Sequence, residues 1–158
     1  MSALGPAHRA AVETLATTLA ETTVAWALTG STSFALQGVP LDPNDVDVQT
    51  TESGAYRIEE MFADEVVDPV TFAEGEGIRS HFGALDVEGV RVEVMGAVER
   101  EAADGTWESA VDVAACREFL DMDGTAVPVL PLGYEAQAYE QLGRDDRAAL
   151  LREYVDEE

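Results

Sequence analysis

The chain of 158 residues carries 9 basic side chains against 32 acidic ones, a formal net charge of −23, and 46% of its residues are apolar. Every basic residue is Arg, which excludes a P-loop lysine, Schiff-base chemistry and a lysine general base, while the apolar content places the chain among folded domains. So acidic a surface repels phosphate backbones and disfavours a nucleic-acid partner; its self-repulsion is relieved where molar salt shortens the Debye length to about 3 Å, the pattern of a halophilic protein.

After Gly5-Pro6, Ala10, Val12, Leu15 and Leu19 have the spacing of an amphipathic helix that ends before Val24. The apolar run Val24 to Thr29 predicts a strand buried on both faces, broken by Gly30-Ser31. The segment STSFALQG predicts a short helix capped by Ser31 or Thr32 and closed at Gly38. Two prolines and Asn44 make VPLDPN a loop, and DVDVQT follows as an alternating strand. SGAYRIEEMF reads as a helix with a Ser cap, and VVDPVTF as a short extended piece whose Pro69 argues for an edge. IRSHFGALDV and VRVEVM around Glu88-Gly89 predict one hairpin, REFLDM and TAVPVL around Asp123-Gly124 a second. From Leu132 the chain is helical in two pieces split near Gly143, with Leu142, Leu150, Leu151 and Tyr154 facing a core.

Together these elements predict an α+β fold, an α/β sandwich about a small mixed sheet flanked by helices. It forms one domain over 1–158, with a core at about 24–95 and a C-terminal hairpin and helices at 112–158. The lone Cys116 allows no internal disulfide, the N-terminal stretch lacks a signal pattern, and no run approaches the ~18 apolar residues of a membrane span. A soluble, cytoplasmic protein is expected; its oligomeric state is left open.

Asp45 and Asp47 stand two apart in a strand, so both carboxylates leave one face while Val46 and Val48 leave the other. Paired carboxylates repel unless a hard dication such as Mg²⁺ lies between them. Acidic pairs at this spacing recur by chance in so acidic a chain, as at Asp86/Glu88, Glu99/Glu101 and Asp121/Asp123; only the 45/47 pair is interleaved with buried-strand valines. Gly30-Ser31 at a strand-to-helix junction suits an anion, or is a plain tight turn. Glu93 in VRVEVM is a further carboxylate in an apolar strand, or a solvent-facing one.

An apolar strand, Gly-Ser, thirteen residues from Thr32 to Asn44, Asp-Val-Asp-Val and then apolar-Glu-apolar form an ordered pattern. It resembles the DNA polymerase β superfamily of nucleotidyltransferases over about Val24 to Met95. Among these it resembles the small single-domain members akin to the lincosamide and aminoglycoside nucleotidyltransferases and the nucleotidyltransferase-like halves of toxin–antitoxin modules. The resemblance implies that Gly30 and Ser31 hold the β- and γ-phosphates of a nucleoside triphosphate, and that Asp45 and Asp47 ligate Mg²⁺ or Mn²⁺. Glu93 would join a second metal or take the proton of an attacking hydroxyl on a small molecule or protein.

The loop Asp42-Pro43-Asn44 lacks the cation such transferases often place by the triphosphate. Arg79, with Ser80 beside it, is the expected substitute, or else a surface salt bridge. His81 is expected to pack, Trp26 and Trp107 to sit in the core or a lid, and Arg144 and Arg147 to pair with Asp145 and Asp146 on a helix surface. The alternatives are a catalytically inactive binding or regulatory module of the same fold and an unrelated α+β domain.

Overall fold

The computed structural model describes residues 4–75 and 77–155. Helix α1 (Pro6–Leu19) starts on a proline, whose fixed φ suits the first turn, and buries Val12, Leu15 and Leu19. Strand β1 (Trp26–Thr29) is buried along its whole length and starts two residues later than the apolar run suggests. Helix α2 (Gly30–Leu36) begins at the glycine itself, with Thr29 as an N-cap that makes no side-chain cap bond. The predicted Ser31 or Thr32 cap does not form. Ser31 Oγ accepts from the Asn44 amide at 2.9 Å and Thr32 Oγ1 donates to the Asp45 carbonyl at 3.1 Å, so both tie the 42–45 loop to α2.

Strand β2 (Val46–Thr50) leads into α3 (Glu52–Met61), capped by Thr51, whose Oγ1 accepts from the Gly54 amide, rather than by Ser53. A 3-10 turn (Ala63–Glu65) precedes β3 (Val66–Gly75), longer than expected but at the sheet edge, as Pro69 argues. Strands β4 (Ile78–Val87) and β5 (Val90–Arg100) form the first hairpin; Glu88 and Gly89 both take positive φ, as a type I′ turn needs. One unpredicted helical turn, α4 (Val113–Cys116), precedes the second hairpin, β6 (Glu118–Met122) and β7 (Thr125–Val129). Helices α5 (Leu132–Gln141) and α6 (Asp145–Val155) are separated by Gly143 at φ 77°.

The seven strands form one mixed sheet ordered β3-β4-β5-β2-β1-β7-β6, with β2 parallel to β5 and β1 parallel to β7. One face buries Leu28, Val46, Val48, Val92 and Val94 with Leu15 and Leu19 of α1 and Ile58 of α3. A second apolar cluster joins Phe34 of α2 to Leu132 and Ala136 of α5 and Ala148 and Leu151 of α6. Helices therefore flank the sheet as the α+β reading expects. Among the described residues no helix is long and apolar enough to cross a membrane.

One irregularity decides which side chains share a face. Between the pairs Arg79–Glu99 and His81–Gly96, three steps of β5 oppose two of β4, and Ala97 takes a positive φ of 53°. This is a β-bulge, and the extra residue inverts the alternation beyond it. Val98 and Arg100 thus line the same cavity as Met95, while Glu99 faces away.

Candidate active site

Parallel pairing of β2 and β5 sets Asp47 directly beside Glu93, and Asp45 precedes β2 on the same side. Arg91, two residues before Glu93, joins them: its Nε lies 2.9 Å from Glu93 Oε2 and 3.9 Å from Asp45 Oδ2, and its Nη2 3.6 Å from Asp68. Burial pushes the Asp47 carboxyl up to about 7, helped by the charges of Glu93 and Asp45 and by a hydrogen bond with Glu93. Gly30, at φ 73°, packs so tightly on Asp47 that a Cβ would run into Oδ2. Only glycine combines that backbone with that approach.

The start of α2 is already engaged by an internal acid. Glu135 of α5, 3% exposed, accepts from Thr29 Oγ1 at 2.6 and 2.7 Å and from the Gly30 amide at 3.1 Å. Its pKa rises to about 7 through burial, against which those hydrogen bonds and the Arg100 charge act. The Gly30 amide assigned to phosphate by resemblance is thus occupied, whereas Ser31 lines the open cavity.

That cavity, about 390 Å³, is bounded by Ser31, Asp45, Asp47, Glu93, Arg144 and Arg147 among others. The two arginines lie over the Tyr139 ring, at 4.9 and 6.0 Å from its centroid. Among the described residues neither forms the expected ion pair with Asp145 or Asp146. A second cavity, about 250 Å³, shares Gly30, Asp47, Tyr139 and Arg144 with it. A larger one, about 700 Å³, opens at the opposite end of β1 and β2, near Thr22, Val24 and Arg57, away from the paired carboxylates.

Arg79 and Ser80 are not brought to this cluster. Arg79 Nε donates to Glu99 at 2.7 Å and its guanidinium stacks on Trp107 at 4.1 Å, while Ser80 is buried opposite Ala73. Simple alternation would set Glu99, six residues on, on the face of Glu93; the bulge at Ala97 turns it to the opposite face, where Arg79 already lies because Ala84, five residues further along β4, is the one opposite Glu93. His81 packs as expected, against Tyr56 and Phe72, and Trp26 lies in the core.

Three carboxylates on one face form the all-oxygen donor set that a hard dication takes. The mutual repulsion that adds to burial in raising the Asp47 pKa is what such an ion relieves, and Arg91 already stands as a cation between Asp45 and Glu93. Donor chemistry therefore fits, although among the described residues no three acidic, histidine or thiol groups are gathered into a ready cage. Strand alternation alone could have found Arg91. Glu135, Arg144 and Arg147 carry no such signal, because α5 and α6 reach the site only by tertiary packing.

A family profile described as aminoglycoside-2''-adenylyltransferase matches residues 11–154. A crystal structure from Thermotoga maritima, described as a presumed nucleotidyltransferase, is 45% identical with TM-score 0.79, covering 92% of this chain and 90% of its own. The lincosamide antibiotic adenylyltransferase LnuA, solved with lincomycin bound, shares the fold at 8% identity and TM-score 0.59, covering 88% and 92%. So does the antibiotic-resistance factor ANT(2'')-Ia, at 13% and 0.52, covering 91% and 84%. No curated protein is a match.

Proposed function

Since this chain belongs to the aminoglycoside-2''-adenylyltransferase family of nucleotidyltransferases, we propose that it moves a nucleoside monophosphate from a nucleoside triphosphate to a hydroxyl of a small molecule, or alternatively of a protein, with Mg²⁺ or Mn²⁺ held by Asp45, Asp47 and Glu93. The observation that carries the reading is the set of three carboxylates, Ser31, Arg144 and Arg147 around one cavity.

The acceptor oxygen bonds to the α-phosphorus, the bond from that phosphorus to the bridging oxygen breaks, and pyrophosphate leaves with the electron pair. Glu93 takes the hydroxyl proton. Arg144 and Arg147, from the start of α6, lie on the charge of the β- and γ-phosphates, the role first given to Arg79. Ser31 offers a hydroxyl to the same phosphates, and Tyr139 holds both guanidinium groups in place. Asp45, Asp47 and Glu93 would hold the dication, which would supply positive charge to offset the negative charge developing on the phosphate groups. Glu135 keeps Thr29 and Gly30 rigid, and with them the wall against which Asp47 rests.

A non-catalytic module is the less favoured reading, because all three carboxylates are present on one sheet face. A small-molecule acceptor suits the family. Cytoplasmic residence and adaptation to concentrated salt are the matching reading of the composition. The test is calorimetry with Mg²⁺ and ATP in molar KCl: Asp47→Asn is expected to weaken metal-dependent binding at least 100-fold, on the order of 3 kcal/mol. Identical heats for wild type and variant sink the metal assignment.

A further inference from the structure

Gln49 lies two residues beyond Asp47 on the same face of β2, with 6% exposure, and lines the second cavity. Its Oε1 is buried without a hydrogen-bond partner, the one side-chain oxygen or nitrogen in that condition among the described residues. Buried polar groups are rarely left so, and each exception calls for a partner.

The polar groups deeper in the cavity are spoken for. Glu135 is held by Thr29 and Gly30, and Arg100 donates to Tyr134 at 2.6 Å and to Gln141 at 3.2 Å. Apart from Asp47 and Arg144, which it shares with the polar cavity, the remaining wall is apolar: Ile78, Met95, Val98, Ala138 and Leu142, with Tyr139 at the junction. Two adjoining cavities, one lined by acids and arginines and one with a largely apolar wall and a single unpaired acceptor, match the two ends of a nucleoside triphosphate. The acceptor hydroxyl is left the Glu93 side, where Arg91 and Asp68 are exposed.

We propose that the cavity beneath Tyr139 is the nucleobase subsite of the proposed transferase and that Gln49 selects adenine, its Oε1 accepting from the exocyclic amino group. A glutamine amide pairs with the N6/N7 edge of adenine in two bonds, whereas the corresponding guanine edge offers two acceptors and leaves Oε1 unsatisfied. The inference rests on the nucleotidyltransferase reading, and its test separates the two.

Binding of ATP, of purine riboside triphosphate, which lacks only the 6-amino group, and of inorganic tripolyphosphate is measured by calorimetry with Mg²⁺ in molar KCl. Wild type is expected to favour ATP over the purine analogue by about tenfold or more, and Gln49→Leu to bring the two within about twofold while tripolyphosphate binds as before. Equal wild-type affinity for ATP and the analogue overturns the subsite, as does a Gln49→Leu variant that weakens all three probes alike. Val98→Phe, which fills the cavity from a different strand, is expected to lose ATP and keep tripolyphosphate; undiminished ATP binding by it also overturns the proposal. A wild type that binds neither ATP nor tripolyphosphate ends the nucleotidyltransferase reading itself, and the subsite with it.

Discussion

The two sides of β2 differ by one residue of phase and in almost everything else. Val46 and Val48 are wholly buried in the cluster that α1 and α3 cover, while Asp47 and Gln49 line cavities beneath α5 and the start of α6. The valine side stabilises through area removed from water, at roughly 25 cal/mol per Å². The other side works against stability: it sets a half-buried Asp47 beside Glu93 and leaves Gln49 Oε1 unpaired. A single strand thus ties a conventional core to a group of polar side chains held beside like charges and without full hydrogen bonding.

Breaking the apolar side is expected to have the largest effect on stability. Leu28, fully buried and paired across from Val48, loses about 2–5 kcal/mol on Leu28→Ala, read by denaturant unfolding, with tripolyphosphate affinity unchanged below the transition. A matching loss of affinity would show that the two sides are not separable.

On the polar side the effect depends on pH. Glu135 has a folded pKa of about 7 against an ordinary value of 4.5, so the folded state keeps a proton that the unfolded chain releases. Its contribution is complete below about pH 4.5 and declines as pH rises to about 7, by on the order of 3 kcal/mol at 1.36 kcal/mol per unit. Measured in EDTA, Glu135→Gln is expected to gain stability relative to wild type over that interval. A difference independent of pH would mean that Glu135 holds α2 by hydrogen bonds alone.

Smaller effects separate the two sets of arginines. Replacing Arg144 and Arg147 together by Ala is expected to weaken tripolyphosphate binding about tenfold, near 1.4 kcal/mol. Arg79→Gln is expected to leave that affinity within about twofold and to cost at most about 1 kcal/mol of stability, since its partner Glu99 is partly exposed. The reverse ranking would return the triphosphate to the sequence-based site and move it off α6.

Local rules placed most elements because each reports on its own neighbours in the chain. Period-2 alternation around Asp45-Val46-Asp47-Val48 gave β2 its two sides, and Glu88-Gly89 and Asp123-Gly124 gave both hairpins, because type I′ turns need consecutive positive φ values. Where helix caps were misplaced, as at Thr51 and Thr29, neighbouring hydroxyls of equal local propensity competed and packing chose between them.

What the sequence determined by itself was therefore the sheet-forming strands, the shared face of Asp45 and Asp47, and the family pattern that brings Glu93 beside them. Tertiary structure decided which cations and which acceptor join them. Ala97 adds one residue to β5 and inverts the face of everything beyond it on that strand, so Val98 and Arg100 turn to the cavity and Glu99 turns away to meet Arg79. Glu135, Arg144 and Arg147, roughly ninety or more positions from Asp47 along the chain, arrive through helix packing on Phe34, Leu132, Ala136 and Leu151. Alternation is a property of adjacent residues and can be read along a chain. A bulge and a docked helix are settled by where the rest of the protein can bury its apolar surface, and no local pattern records that.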